Sequence, residues 1–191
     1  MAFRVKARRI PRRLSNDIKR PVRSFSIATG ELLWASNQLH TAFAVVFAVL
    51  VSKDDPGIGF SIWHTVPSDS VQRQLLAAVA DVKFKKNSKM HAHLTWAKEK
   101  ADKLATIRND AAHMSTAFRT DGSPWLLVAN AVGNSPTRSR RLEGLSDLQR
   151  HFRTAKSDLV QLSGFVYALF FRIVTPAASH PWPKKPALRA V

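Results

Sequence analysis

The stretch Leu39-His40-Thr41-Ala42-Phe43-Ala44-Val45-Val46-Phe47-Ala48-Val49-Leu50-Val51 decides the fold class. Leu39, Phe43, Val46 and Leu50 recur at spacings of 4, 3 and 4, the repeat of one helical face. Ala42, Val45, Phe47 and Val49 make the same segment apolar nearly all round, which suits the centre of a bundle or an oligomer contact. Outward from it, Thr29 offers an N-cap hydroxyl and Asp54-Asp55-Pro56-Gly57 ends the pattern, so a first helix is expected from about Thr29 to Lys53.

Ile58 to Pro67 reads as a loop or short extended piece. Asp69 followed by Gln72 resembles a capping box and opens a second helix that should bury Val71, Leu75, Val79 and Val82. A third helix is expected over roughly Leu94 to Phe118, with a stripe of Ala97, Ala101, Leu104, Ile107, Ala111, Met114 and Phe118. Trp125 to Val132 reads as a strand, a hairpin half or an extended cover strip, and Gly133 to Arg141 as a basic loop. A last helix from about Leu145 to Val174 packs Leu148, Phe152, Leu159, Leu162, Phe165 and Leu169. These elements predict an all-α, four- to five-helix up-and-down bundle over residues 28–175. A basic, poorly ordered arm (residues 1–27) and a Pro-rich tail (residues 176–191) flank it.

The 191 residues carry 30 Lys and Arg against 13 Asp and Glu, a formal charge of +17. Such a surplus points to a polyanionic partner, RNA or other nucleic acid first. The candidate contacts are Arg8, Arg9, Arg12 and Arg13 on the arm, Lys85 and Lys86 after the second helix, and Arg138, Arg140 and Arg141 in the basic loop. There is no cysteine, which excludes disulfides, Cys-type zinc sites and thiol nucleophiles and fits a cytoplasmic setting. The Ala42–Val51 run is about half the length needed to cross a bilayer, so no membrane span is expected. No glycine-rich phosphate loop and no G-x-S-x-G elbow is present, which leaves NTPase and serine-hydrolase chemistry without support.

Chemistry is concentrated in Arg108-Asn109-Asp110-Ala111-Ala112-His113. Histidine titrates near neutrality and can take the proton of a ribose 2′-hydroxyl. A guanidinium can hold two oxygens of the attacked phosphate, and an amide can fix the base, the phosphate or the imidazole. On a helical wheel Asn109 lies about 100° and His113 about 140° from Arg108. Asn109 and His113 therefore stack one turn apart, and Arg108 must reach round or meet His113 through a second subunit. The alternative is structural: an ion pair of Arg108 with Asp102 or Glu99, a half-buried His113, and a solvated Asp110.

The hexapeptide resembles the motif of the HEPN superfamily, with Arg108, Asn109 and His113 matching position for position. The resemblance implies an all-α bundle, usually a homodimer with the motif paired across it. It further implies a metal-independent endoribonuclease of toxin or defence type, with no cofactor and a protein antitoxin or larger complex as further partner. Arg108 would hold the phosphate, His113 would act as general acid or base, and Asn109 would orient. The same superfamily includes non-catalytic RNA or nucleotide binders, so a nucleic-acid-binding or assembly module is the alternative.

Two weaker signals remain. Trp63 with His64 in a loop can stack a base or plug the end of the bundle. His91 and His93 would face one side of an extended segment, but no third ligand sits at a recognisable spacing, so no metal is assigned.

Overall fold

The computed structural model describes residues 16–114, 116–118, 124–126, 136–143, 147–175 and 181–191. It is an all-α bundle. The helices are α1 (Asn16–Val51), α2 (Pro56–Thr65), α3 (Asp69–Lys83), α4 (Lys89–His113), α5 (Pro136–Glu143) and α6 (Leu148–Val174). Between α4 and α5, β1 (Thr116–Phe118) and β2 (Pro124–Leu126) form a minimal antiparallel pair, with Ala117 opposite Trp125.

The apolar stretch is the bundle's axis: Ala42, Phe43, Val46, Phe47 and Ala48 are all buried. Neighbours alternate in direction. On α2, Gly59 and Trp63 meet Ala48 and Phe47 of α1. On α3, Arg73 meets Asp102 of α4 while Asp81 near its end meets His91 near the start of α4, so these two helices are antiparallel. The last helix lies parallel to α1: Phe25 packs on Phe152 with centroids 6.0 Å apart, and further along Lys156 approaches Glu31.

Several boundaries differ from expectation, each for a physical reason. Helix α1 starts at Asn16, so residues 16–27 are helix and not arm. Pro21 lies in its second turn and removes a single intrahelical bond. The contacts of Phe25 and of Ser24, whose hydroxyl accepts from Gln149 at 2.5 Å, hold that part of α1 against α6. Arg8, Arg9, Arg12 and Arg13 lie outside the described residues.

The expected loop after residue 57 is helix α2. Asp55 caps it by accepting from Gly57 N at 3.0 Å, and Pro56 occupies the first turn, where its missing N–H costs nothing. The residues that stop α1 therefore start α2. Gly59 permits the close crossing, since a Cβ there would collide with the backbone of Ala48, lying 2.8 Å from its carbonyl oxygen.

Helix α3 is turned relative to the expected stripe. Val71 and Val82 are exposed, and Gln72, Arg73, Leu76 and Ala80 face inward. The N-cap is Ser68, not a box of Asp69 with Gln72. Gln72 instead donates to the carbonyls of Trp63 (2.8 Å) and Val66 (3.2 Å), satisfying the C-terminal end of α2. The basic segment read as a loop forms α5 from Pro136 onward.

By length and composition alone, Lys19–Val51 and Leu148–Val174 are long and apolar enough to cross a membrane, more than the Ala42–Val51 run suggested. Both also supply much of the bundle core, with Leu32, Phe47, Leu162 and Leu169 buried.

Candidate functional site

Helix α4 carries the hexapeptide in its last two turns, ending at His113 with Met114 as C-cap. The side chains diverge. Arg108 turns toward α3 and pairs with Asp69. Asn109 and His113 are exposed, one turn apart on a stripe about 100–140° round the helix from Arg108. Within one chain Arg108 and His113 thus face different compartments, as the wheel predicts. Asp102 and Glu99 do not take Arg108; Asp102 receives Arg73 Nε at 2.7 Å and Lys98 Nζ at 2.9 Å.

Asp110 does not solvate. It is buried (3% exposed) and accepts from Arg141 Nε at 2.7 Å, Arg141 Nη2 at 2.5 Å and Arg138 Nε at 3.3 Å. Two of the arginines read as nucleic-acid contacts are therefore engaged in holding α5 on α4. The Arg140 side chain lies outside the described residues. Lys85 and Lys86 are exposed in the α3–α4 connection, free of the core.

A polar cluster that the sequence reading missed surrounds Arg108. His40 projects from the apolar face of α1, and its Nε2 accepts from Trp63 Nε1–H at 3.1 Å. Asp69, Arg73 and Ser36 join His40 around a cavity of about 20 Å³, room for one water. Burial above all, then the charges of Arg73, His64 and Arg108, holds the His40 imidazole below its ordinary value of 6.5. Asp102 is shifted the other way from what burial favours. Burial opposes its ionisation, but the hydrogen bonds and charges of Lys98 and Arg73 win and lower its pKa. His40 sits in the largely polar run Asn37-Gln38-Leu39-His40-Thr41 and so gives no distinct signal; Asp69 and Arg73 stand one turn apart on α3, a spacing common on any solvated helix.

The remaining motifs resolve simply. Trp63 is fully buried against Phe47 and serves the core, while His64 stacks on Phe60 at the surface. His91 and His93 lie on a helix and not on an extended segment, so they point to different sides. His91 pairs with Asp81 at 2.6 Å, and His93 stacks against Trp182. Among the described residues no three His, Cys, Asp or Glu side chains gather as metal ligands.

His40, His93 and His151 all titrate below their ordinary value, in each case chiefly through burial. The folded state thus disfavours their protonation relative to the unfolded chain. Their contribution is complete above 6.5 and falls as pH drops toward the folded values. Urea midpoints should decline between about pH 7 and pH 5, and the triple His→Gln variant should flatten that decline. A wild-type midpoint constant over this range would contradict the assignment.

Compared with family models, with curated proteins and with solved structures, the chain matches none.

Proposed function

We propose that this protein is an RNA-binding helical bundle. One observation carries the reading: among the described residues, at least seven of the chain's 13 acids are engaged by ion pairs, helix caps or backbone amides of the fold, while the formal charge is still +17. Asp69, Asp102 and Asp110 neutralise arginines, and Asp55 and Asp147 cap helices. Asp81 holds His91, and Asp158 binds backbone amides of the chain's end. Exposed Lys83, Lys85, Lys86, Lys103 and Arg150 lack such a supply of counter-charge and suit phosphates.

A second reading, metal-independent RNA cleavage, is favoured by the exposure of Asn109 and His113 together on one stripe. Arg108 keeps 24% of its side chain accessible despite Asp69, so a phosphate can compete for it. The groups act together only if a homodimer brings one chain's Arg108 near the other's His113. His113 would then take the 2′-hydroxyl proton, the 2′-oxygen would attack phosphorus as the P–O5′ bond breaks, the 5′-oxygen would take a proton from water, and a cyclic 2′,3′-phosphate would remain.

A single experiment addresses both. Labelled single-stranded RNA is titrated in EDTA across a salt series, and the products are analysed for cyclic phosphate. Binding should weaken log-linearly with salt, by about 0.7 in slope per phosphate contact, and Lys85→Ala with Lys86→Ala should reduce the slope by roughly 1.4. Absence of binding at about 50 mM salt would refute the RNA reading. Cyclic-phosphate products from wild type but not from His113→Ala would support cleavage; a wild type as inert as the variant would remove it and leave binding.

A further inference from the structure

The chain's last residues, expected only as a Pro-rich tail, are docked on the bundle without helix or strand. Arg189 N and Ala190 N donate to Asp158 Oδ2 at 2.8 and 2.7 Å, and Trp182 stacks on His93 with centroids 5.5 Å apart. This fixes Trp182 beside the C-terminal turns of α6. There Phe171 is 54% exposed although it belongs to the most apolar end of the helix. Phe171, Trp182, Pro181, Pro183, Ala168 and Lys184 line one cavity of about 640 Å³, within the size range of small-ligand sites.

Its chemistry is aromatic and cationic together. Lys184 forms part of the wall, and Lys89 Nζ and Arg172 Cζ stand 5.1 and 4.8 Å from the centre of the Trp182 ring. Lys185 lies over the neighbouring Trp96 at 5.3 Å. No acid is among the described lining residues. A neutral apolar ligand would leave these cations unanswered, and a fully hydrated anion would leave Phe171 and the prolines uncovered. Flat rings on an anionic backbone satisfy both.

We propose that this cavity is a base-stacking subsite for single-stranded RNA, with the exposed ring of Phe171 receiving a base, Trp182 forming the wall it enters against and Lys184 facing a flanking phosphate. The inference rests on the RNA-binding reading and adds a second mode of contact to it. The hexapeptide and the α3–α4 lysines meet the backbone, whereas this pocket meets the bases. A membrane surface would also answer apolar and cationic groups, but Phe171 and Trp182 line a concavity and do not form a protruding wedge. A recess suits rings that enter it, and a bilayer surface has none to offer.

The test uses the full chain, a fluorescein-labelled oligoadenylate, and an abasic oligomer of equal length and charge. Phe171→Ala, an exposed position whose loss spares the core, should weaken oligoadenylate binding roughly 5- to 100-fold while leaving the salt slope unchanged. It should leave abasic binding unaltered. Lys184→Ala should lower the slope for both by about 0.7. Wild-type affinity for oligoadenylate in Phe171→Ala, or equal wild-type affinity for the two oligomers, would overturn the subsite while the RNA reading stands. Phe171-dependent binding to phosphatidylserine vesicles without any binding of either oligomer would overturn both.

Discussion

A chain ending at residue 180 should lose about 3 to 5 kcal/mol of unfolding free energy, read from urea titrations followed by circular dichroism. The main reason is Asp158. It lies on α6 at 1% exposure, and the backbone amides of Arg189 and Ala190 donate to it. Without them the carboxylate loses both amide donors together with the segment that covers it, and water must replace them. Trp182, Leu188 and Val191 also leave their packing against the core, uncovering His93. Against this, freeing the tail returns backbone entropy, which limits the net loss. A cycle isolates the carboxylate. Asp158→Ala should destabilise the full chain but be neutral or stabilising in the truncated one, a coupling of about 1 to 3 kcal/mol. Equal midpoints for the full and shortened chains would show that the tail merely rests on the surface.

The helices were legible where apolar periodicity is strong. Leu39, Phe43, Val46 and Leu50 are all buried, as are Ala97, Ala101, Leu104, Ile107 and Ala111. Periodicity failed where polar groups are the ones facing in. On α3, Gln72 and Arg73 are buried because α2 leaves open carbonyls and α4 presents Asp102, facts of tertiary neighbourhood that no local pattern encodes. Helix α2 was hidden for a related reason. Its length is short and its inward residues are Gly59 and Trp63, so the signal rests on one close backbone crossing and one large ring. The candidate site was half legible. The wheel placed Arg108 away from Asn109 and His113 correctly, but its partner Asp69 and the nearby His40 come from other helices. The docked tail gave no warning, since its Pro-rich sequence is fixed by two amides and a stacked ring and by no regular repeat.

The other large effect should come from inside the hexapeptide, and it should be asymmetric. The Asp110 carboxylate is 4% exposed, whereas the Arg138 and Arg141 side chains that bind it are 19% and 42% exposed. Its hydrogen bonds to Arg141 raise that guanidinium's pKa above the ordinary value, so the cation is present throughout the working pH range. Removing the acid, in Asp110→Ala, leaves arginines that can swing into water, and the cost should be about 2 kcal/mol. Removing the cations, in the double Arg138→Ala and Arg141→Ala variant, strands a buried charge and should cost about 3 to 5 kcal/mol. The comparison is made by urea unfolding of both variants beside Asp110→Asn. An order reversed from this, with Asp110→Ala the worse, would mean that the arginines and not the acid are the desolvated partners. The outcome also bears on function. Ala111 is core, Asp110 anchors α5 and Arg108 engages Asp69, so Asn109, Ala112 and His113 are the exposed members of the motif. Loss of RNA cleavage in an Asp110 variant would therefore report a displaced helix end and not a missing catalytic group, whereas loss in His113→Ala at unchanged stability would report chemistry.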